Sequence, residues 1–92
     1  MQVNEAVKIA KQYILELFAD EKISNLGLEE VEFDPEKQEW MVTVGFSRPW
    51  DEPHNVFAAM TNDVFTRRTF KALRISDVDG QILSVKRREV GK

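Results

Sequence analysis

Residues 39–47 read EWMVTVGFS, and this stretch decides the fold. Its large apolar side chains occupy every second position: Trp40, Val42, Val44 and Phe46. A period of two is typical of a β-strand that buries one of its two faces. We therefore predict a strand over these residues, with those four side chains in the core and the intervening ones on the opposite face.

A second alternating segment lies just upstream, where Val31 and Phe33 are separated by glutamates. Between the two segments, residues 34–37 read DPEK. Asp in the first position and Pro in the second are the preferences of a type I turn. Closing a β-hairpin around these four residues pairs Val31 with Trp40 on the apolar face.

The N-terminal segment has a helical period instead. Its apolar residues recur at steps of three and four and fall on one face of an α-helix: Val3, Ala6, Val7, Ala10, Tyr13, Ile14, Leu17 and Phe18. Asn4 is the predicted N-cap, and Glu5 in the first turn interacts favourably with the helix dipole. We expect the helix to end between Phe18 and Ile23, before the stop signal Asn25-Leu26-Gly27.

A second hairpin is predicted near the C-terminal end. Residues 77–80 read DVDG, which suits a type I turn closed by a glycine in the left-handed conformation. The resulting three-residue loop pairs Ile75 with Leu83 and Leu73 with Val85, so that all four side chains share one face. A four-residue loop would instead set Leu73 against a serine, and we reject it for that reason.

The order of elements is helix, hairpin, a long connection and a second hairpin. A helix laid on one face of a four-stranded antiparallel sheet buries every apolar stripe at once. We therefore predict a single α+β domain over residues 1–92, with a long loop between strands 2 and 3. The sheet face turned away from the helix is predicted to be acidic at one edge and basic at the other. Its residues are Glu30, Glu32, Met41, Thr43, Gly45, Phe70, Ala72, Arg74, Lys86 and Arg88.

Charge is distributed unevenly along the chain. The net charge is −3, but residues 1–60 carry 12 acidic and 5 basic residues, whereas residues 61–92 carry 4 acidic and 8 basic residues. One interpretation is that two oppositely charged halves attract each other within one fold. The other is that the basic half forms a surface for an anionic partner.

Composition excludes several classes of chemistry. The chain has no Cys, which removes disulfides, thiolate metal sites and cysteine nucleophiles, and His54 is its single histidine. It also has no glycine-rich phosphate loop. We therefore expect no enzyme activity, no catalytic residues, no metal and no cofactor. No apolar run approaches the ~20 residues that span a bilayer, and the N-terminal sequence lacks the layout of a signal peptide, so we expect a cytoplasmic protein that does not contact a membrane.

Six residues on two surfaces are candidates for partner binding: Trp50, His54, Phe70, Arg74, Lys86 and Arg88. The first two lie in the long connection, where no strand or helix pattern requires a tryptophan. The other four lie on the predicted outer face of the sheet. Because Trp and Arg anchors concentrate binding energy in protein interfaces, we expect a protein partner of unknown identity, or a homodimer through that face. The alternative is a nucleic-acid-binding module built on the basic second hairpin, which we rank lower because the chain as a whole is acidic.

Three segments resemble PepSY-type small helix-on-sheet domains: EAVKIA at residues 5–10, EWMVTV at residues 39–44 and ISDVDGQIL at residues 75–83. They give the order helix, Trp-bearing strand, and strand ending in an Asp-x-x-Gly turn, and they leave out residues 48–64. In layout the chain is also similar to small bacterial immunity proteins that block a cognate toxin. Both resemblances imply protein binding without catalysis, and neither transfers a functional residue to this sequence.

Overall fold

The computed structural model describes residues 1–49 and 68–88, and it confirms the predicted α+β fold. Its elements are α1 Val3–Leu17, β1 Ser24–Asp34, β2 Glu39–Ser47, β3 Thr69–Ser76 and β4 Ile82–Arg87. The strands form one antiparallel sheet in the order β1-β2-β3-β4, and α1 packs on one face of it. Residues 50–67 of the long connection, with Trp50 and His54, lie outside the described residues.

The core lies between α1 and the sheet. It is formed by eight fully buried side chains: Ala6, Ala10, Ile14, Val42, Val44, Phe46, Leu73 and Ile75. Two of the three helix residues are alanines, whose small side chains let α1 approach the strands closely. The predicted stripe is wider than the buried one, because its outer members Val3 and Leu17 remain exposed.

The start of α1 differs from the prediction. Its N-cap is Gln2 and not Asn4. The backbone N–H of Gln2 donates to the Glu5 carboxylate at 3.2 Å, as in a capping box, so the first turn is closed without the Asn4 side chain. At the other end, α1 stops at Leu17, just before the predicted range, and a 3₁₀ turn over Ala19–Glu21 leads toward β1.

The first hairpin keeps its predicted faces but not its predicted pairing. Val31 pairs with Val42, and Trp40 pairs with Phe33, so the predicted Val31–Trp40 pair is wrong by two residues. A shift by one residue would have moved every side chain of the strand to the other face of the sheet. The observed shift is even, and the assignment of side chains to the two faces therefore survives.

The turn of this hairpin explains the shift. Asp34 and Glu39 are still paired, so the loop comprises residues 35–38 and not residues 34–37. The Asp34 carboxylate accepts the backbone N–H of Glu36 at 3.0 Å, which fixes the chain just after the strand. Gln38 then adopts a left-handed φ of 55°. Glutamine is not a residue type that indicates this conformation in a sequence.

The second hairpin is partly as predicted. Leu73 pairs with Val85, but Ile75 pairs with Ile82 and not with Leu83. Leu83 is therefore an extra residue on β4, a β-bulge, and its side chain is exposed. The bulge places Ile82 against the core in its stead. Next to the turn, the Ile75–Ile82 pair therefore corresponds to a four-residue loop over residues 77–80. Beyond the bulge, the Leu73–Val85 pair is the one predicted for a three-residue loop.

Gly80 closes this second turn in the predicted left-handed conformation, with a φ of 71°. Its backbone N–H donates to the carbonyl of Ser76 at 2.9 Å. A Cβ atom at this position would lie 3.1 Å from Ile9 Cδ1 and 3.3 Å from Met1 Cε. The position therefore favours glycine both for its backbone conformation and for its close approach to α1.

The two turns are tied together at one end of the sheet. The backbone N–H of Asp77 donates to the carbonyl of Gln38 at 3.0 Å. The Asp77 carboxylate accepts the indole N–H of Trp40 at 2.8 Å and lies 3.3 Å from the N-terminal ammonium of Met1. The Trp40 ring also packs against Phe33, with ring centroids 4.9 Å apart. Trp40 is thus a half-buried residue at the edge of the core, held by the second hairpin.

Candidate functional site on the open sheet face

We call the sheet face opposite α1 the open face. Cross-strand pairing arranges its side chains in three rows that run from the β1 side toward β4: Glu32–Met41–Arg74–Ser84, Glu30–Thr43–Ala72–Lys86 and Gly45–Phe70–Arg88. All ten residues predicted for this face are on it. Four of the six candidate binding residues therefore come together here, whereas Trp50 and His54 lie outside the described residues.

Arg74 is held by Glu39 across the two central strands. Its Nε and Nη2 atoms donate to the two carboxylate oxygens of Glu39 at 2.9 and 2.8 Å, which is a bidentate ion pair. The hydrogen bond from Arg74 lowers the pKa of Glu39, and the same pair raises the pKa of Arg74. Bidentate pairs fix the plane of the guanidinium, so Arg74 presents a fixed surface to solvent.

Arg88, just after β4, reaches across most of the sheet. Its Nη1 atom lies 2.8 Å from a carboxylate oxygen of Glu30 in β1 and donates to the Thr43 hydroxyl of β2 at 3.2 Å. Ala72 lies in β3 between Thr43 and the β4 edge, and its small side chain leaves room for this crossing. The Thr43 side chain beneath is only 2% exposed.

Arg68 makes a second crossing, over a pair of glycines. Its Nη2 atom donates to the carbonyl of Asn25 at 2.8 Å. Gly27 and Gly45 are direct partners in β1 and β2, and a Cβ atom on Gly45 would lie 3.1 Å from that nitrogen. The same Cβ would lie 2.8 Å from Cε1 of Phe70, so the Phe70 ring also packs closely against Gly45. The absence of a side chain at Gly45 thus allows both residues to pack against the β2 backbone.

The face is polar at its edges and less so at its centre. Met41, Phe70 and Ala72 in the two middle strands are half-buried. At the edges, Glu32 in β1 and Lys86 in β4 are exposed, and neither forms an ion pair within the described part of the chain. The open face is therefore an ordered surface with an acidic side, a basic side and a partly apolar middle.

Glu39 and Arg68 were not among the residues predicted for this face. Glu39 could have been found, because it shares the strand parity of Met41 and Thr43. Arg68 shares the parity of Phe70 and Ala72, but its contact with Asn25 in β1 could not have been found, because it depends on the pairing of Gly27 with Gly45. That pairing depends on the irregular register of β1, which the alternation of residues does not reveal.

A groove lies on the other side of the sheet, between α1 and β4. This groove has a volume of about 370 Å³ and is lined by Ile9, Tyr13, Gly80 and Ile82, with Lys8, Gln12 and Glu16 at its rim. None of the four candidate residues within the described ranges, Phe70, Arg74, Lys86 and Arg88, lines it. It holds no cluster of titratable groups that would support chemistry, so the open face remains the candidate site.

Comparison of the chain with models of protein families, with curated proteins and with solved structures found no match. Over residues 1–49 and 68–88, no helix is long and apolar enough to cross a membrane. In the same ranges, no three acidic or histidine side chains are grouped so that they could hold a metal ion. A functional assignment therefore depends on the geometry of the open face.

Proposed function

We propose that the protein is a non-enzymatic, cytoplasmic interaction domain whose open face binds another protein. The observation that carries this proposal is that Arg68, Arg74 and Arg88 are all held by acceptors belonging to the same sheet. Side chains fixed in this way lose little freedom when a partner arrives, which lowers the entropic cost of association. The open face has the character of a preorganised docking surface.

The residue types on the face support protein recognition. Interfaces are enriched in aromatic residues, Met and Arg relative to the rest of a protein surface. Here Phe70 and Met41 lie half-buried beside Arg74 and Arg88. A partner that covers them removes apolar area from water while the arginines keep their carboxylate partners.

Nucleic-acid binding is the second candidate, and the ion pairs count against it. Phosphate recognition uses cations that are free to replace counterions. Among the described cations of the open face, Lys86 alone lacks an ion-pair or hydrogen-bond partner. Lys71 belongs to the opposite side of the sheet, where its ammonium lies 5.8 Å from the centroid of the Phe18 ring. A phosphate backbone would have to displace Glu30 and Glu39 from their arginines.

The resemblance to PepSY-type domains and to bacterial immunity proteins points to the same class of function, and it is part of this proposal. We also propose Trp50 and His54, in the long connection, as a second contact surface. The binding proposed for the open face does not depend on either residue.

Affinity capture from an extract of the native host tests the proposal. The bait is the whole chain, compared with Met41→Lys, which puts a charge at the centre of the open face beside Glu32. Leu15→Lys is the matched control, because Leu15 is exposed on the outer side of α1. We expect a specific partner to be recovered by the wild type and by Leu15→Lys, and to be reduced at least about tenfold by Met41→Lys. Equal recovery by all three baits would contradict the proposal.

A binding titration with mixed RNA and DNA at low salt tests the second candidate. Affinity that falls steeply as salt is raised would favour nucleic acid, because phosphate contacts release counterions. The variant Lys86→Glu should then weaken binding further, whereas Lys8→Glu on α1 should not.

A further inference from the structure

The charges of the open face are separated across the strands and not along them. Glu30 and Glu32 lie on β1, and Lys86 lies on β4 with Arg88 just beyond it. Between them, Arg74 is neutralised by Glu39, and Arg88 already binds Glu30. The exposed charges that have no partner among the described residues are therefore Glu32 at the acidic edge and Lys86 at the basic edge.

This polarity makes the face complementary to itself under one particular symmetry. A two-fold axis parallel to the strands, lying in the plane between two stacked sheets, places β1 of one copy over β4 of the other. The acidic edge of each copy then faces the basic edge of its mate, twice. A two-fold axis in the same plane but perpendicular to the strands would place β1 over β1 and acidic edge over acidic edge.

From this complementarity we propose that the open face docks onto the open face of a second copy of the chain, about a two-fold axis parallel to the strands. Cross-strand rows then place Glu30 of one copy opposite Lys86 of the other, with Glu32 one row away. Sheets that stack face to face keep their strands within about 30° of each other, which leaves both glutamates within reach of that lysine. The inference rests on the proposed function, since it names the protein that the open face binds.

The size of the face sets the strength of this dimer. Strands about 4.8 Å apart with about 3.4 Å per residue give a four-stranded face, five residues long, an area of roughly 300 Å². Stable interfaces bury about 800 Å² on each partner. The dimer is therefore weak and forms reversibly at high protein concentration, with charge pairing deciding its orientation and excluding the perpendicular arrangement.

Analytical ultracentrifugation of the whole chain, from about 10 µM to about 1 mM, tests the proposal. The wild type should change from monomer to dimer in this range. Glu32→Lys and Lys86→Glu, each studied alone, should weaken self-association by about tenfold or more, because each sets like charges against each other twice. Lys8→Glu changes the charge by the same amount as Lys86→Glu but lies on α1, and it should leave the association unchanged.

Mixing the two single variants provides the decisive arm. In an equimolar mixture of Glu32→Lys with Lys86→Glu, positions 32 and 86 carry opposite charges in both contacts of the dimer, while Glu30 stays paired with Arg88 of its own copy. A heterodimer should therefore form at least about tenfold more tightly than either single variant associates with itself. The double variant carrying both substitutions should likewise recover. A wild type that stays monomeric at about 1 mM, or single variants that are not rescued by mixing, would overturn this inference.

The result is separable from the test of the proposed function. If the wild type is monomeric while Met41→Lys still abolishes capture of a host protein, then the open face binds a different protein and only the dimer is wrong. If no dimer forms and capture is also insensitive to Met41→Lys, then the proposed function itself is wrong.

Discussion

The Arg88 guanidinium, just beyond β4, lies 2.8 Å from the carboxylate of Glu30 in β1, so one ion pair joins the two outer edges of a four-stranded sheet. It connects the basic half of the chain to the acidic half. The interpretation that the two oppositely charged halves attract each other within one fold therefore has a concrete form, in which long arginine side chains cross small residues to reach acceptors on distant strands.

The energetic coupling of this pair should nevertheless be small. The Arg88 and Glu30 side chains are 41% and 53% exposed, and exposed pairs typically contribute about 0.2–1 kcal/mol. A double-mutant cycle with Arg88→Met and Glu30→Gln, measured by urea denaturation, should give a coupling in this range that shrinks at about 1 M salt. The bidentate Arg74–Glu39 pair is the comparison, and its coupling should be the larger. A coupling energy for Arg88–Glu30 larger than that of Arg74–Glu39 would contradict the partial exposure of the Arg88–Glu30 pair.

Gly45→Ala should destabilise the domain because the new Cβ would meet Phe70 Cε1 at 2.8 Å. The ring and Arg68 must then shift, at a cost of about 1–3 kcal/mol typical of overpacking. Gly27→Ala is the matched control, since its nearest neighbour would be Arg68 Nη2 at 3.8 Å. Chemical denaturation of the two variants checks this. The cost of Gly45→Ala should be smaller in a Phe70→Ala background, and equal effects of the two glycine substitutions would contradict the close packing of Phe70 on Gly45.

Gly80→Ala should also destabilise the domain, for a reason that lies in the backbone. A left-handed φ costs a residue with a side chain about 1–2 kcal/mol, and the Cβ contact with Ile9 adds to this. Val78→Thr in the same turn should have little effect, because Val78 is 84% exposed. Thermal denaturation distinguishes the two. Similar melting temperatures for both variants would show that the turn relaxes around position 80.

Acid should weaken the contact between Trp40 and Asp77. The hydrogen bond from Trp40 lowers the pKa of Asp77, with a smaller contribution from the N-terminal ammonium, against the opposing effect of desolvation. Because the folded-state pKa lies below the unfolded-state value, this stabilisation is complete above the unfolded pKa of about 4 and is lost as the pH falls through the folded pKa. The free energy of unfolding of the wild type should therefore fall on acidification below about pH 4.

Asp77→Asn should remove part of that fall, because the neutral amide in its place can accept the Trp40 N–H at every pH. Asp79→Asn is the control in the same turn, since the Asp79 carboxylate accepts the N–H of Gln81 and not that of Trp40. Urea denaturation at a series of pH values measures the difference. The chemical shift of the Trp40 indole proton reports the same titration directly. If the free energy of unfolding of Asp77→Asn fell on acidification as steeply as that of the wild type, the Asp77 carboxylate would not be the group that causes the fall.

Trp50→Ala separates two roles for the long connection. If Trp50 is a binding anchor, as the sequence predicts, the substitution should reduce partner capture while the melting temperature stays near the wild-type value. Arg74→Glu, which sets a carboxylate against Glu39, is the comparison on the open face. A large drop in melting temperature for Trp50→Ala would instead make the residue part of the core.

The sequence predicted faces better than it predicted registers. A period of two determines which side chains share a face of the sheet. That assignment is unchanged when the pairing of two strands shifts by two residues, as it does in the first hairpin, where Phe33 and not Val31 lies opposite Trp40. Bulges depend on packing between distant parts of the chain. Ile82 takes the place of Leu83 against the core, where it lines the groove with Ile9 and Tyr13 of α1, and nothing local in the turn sequence indicates this choice.

The sequence predicted which of the candidate residues of strands 3 and 4 share the open face, but it did not predict which atoms their side chains contact. Strand parity was sufficient to bring Phe70, Arg74, Lys86 and Arg88 onto one face. Which acceptor each arginine would find depended on the exact strand offsets and on small residues at the crossing points, such as Ala72 and Gly45. Those are properties of three or four strands considered together, and pairwise alternation does not contain them.

The sequential order of the strands has a consequence for how the chain folds. Each hairpin closes a loop of four residues, whereas pairing β2 with β3 closes a connection of 21 residues between Ser47 and Thr69. Local pairings form early, so we expect the joining of the two preformed hairpins to limit the folding rate. The entropy of closing a loop grows only slowly with its length, by about 0.6 kcal/mol for each doubling, so a longer connection should slow that step only mildly. Sequence inserted between β2 and β3 should therefore change the folding rate little.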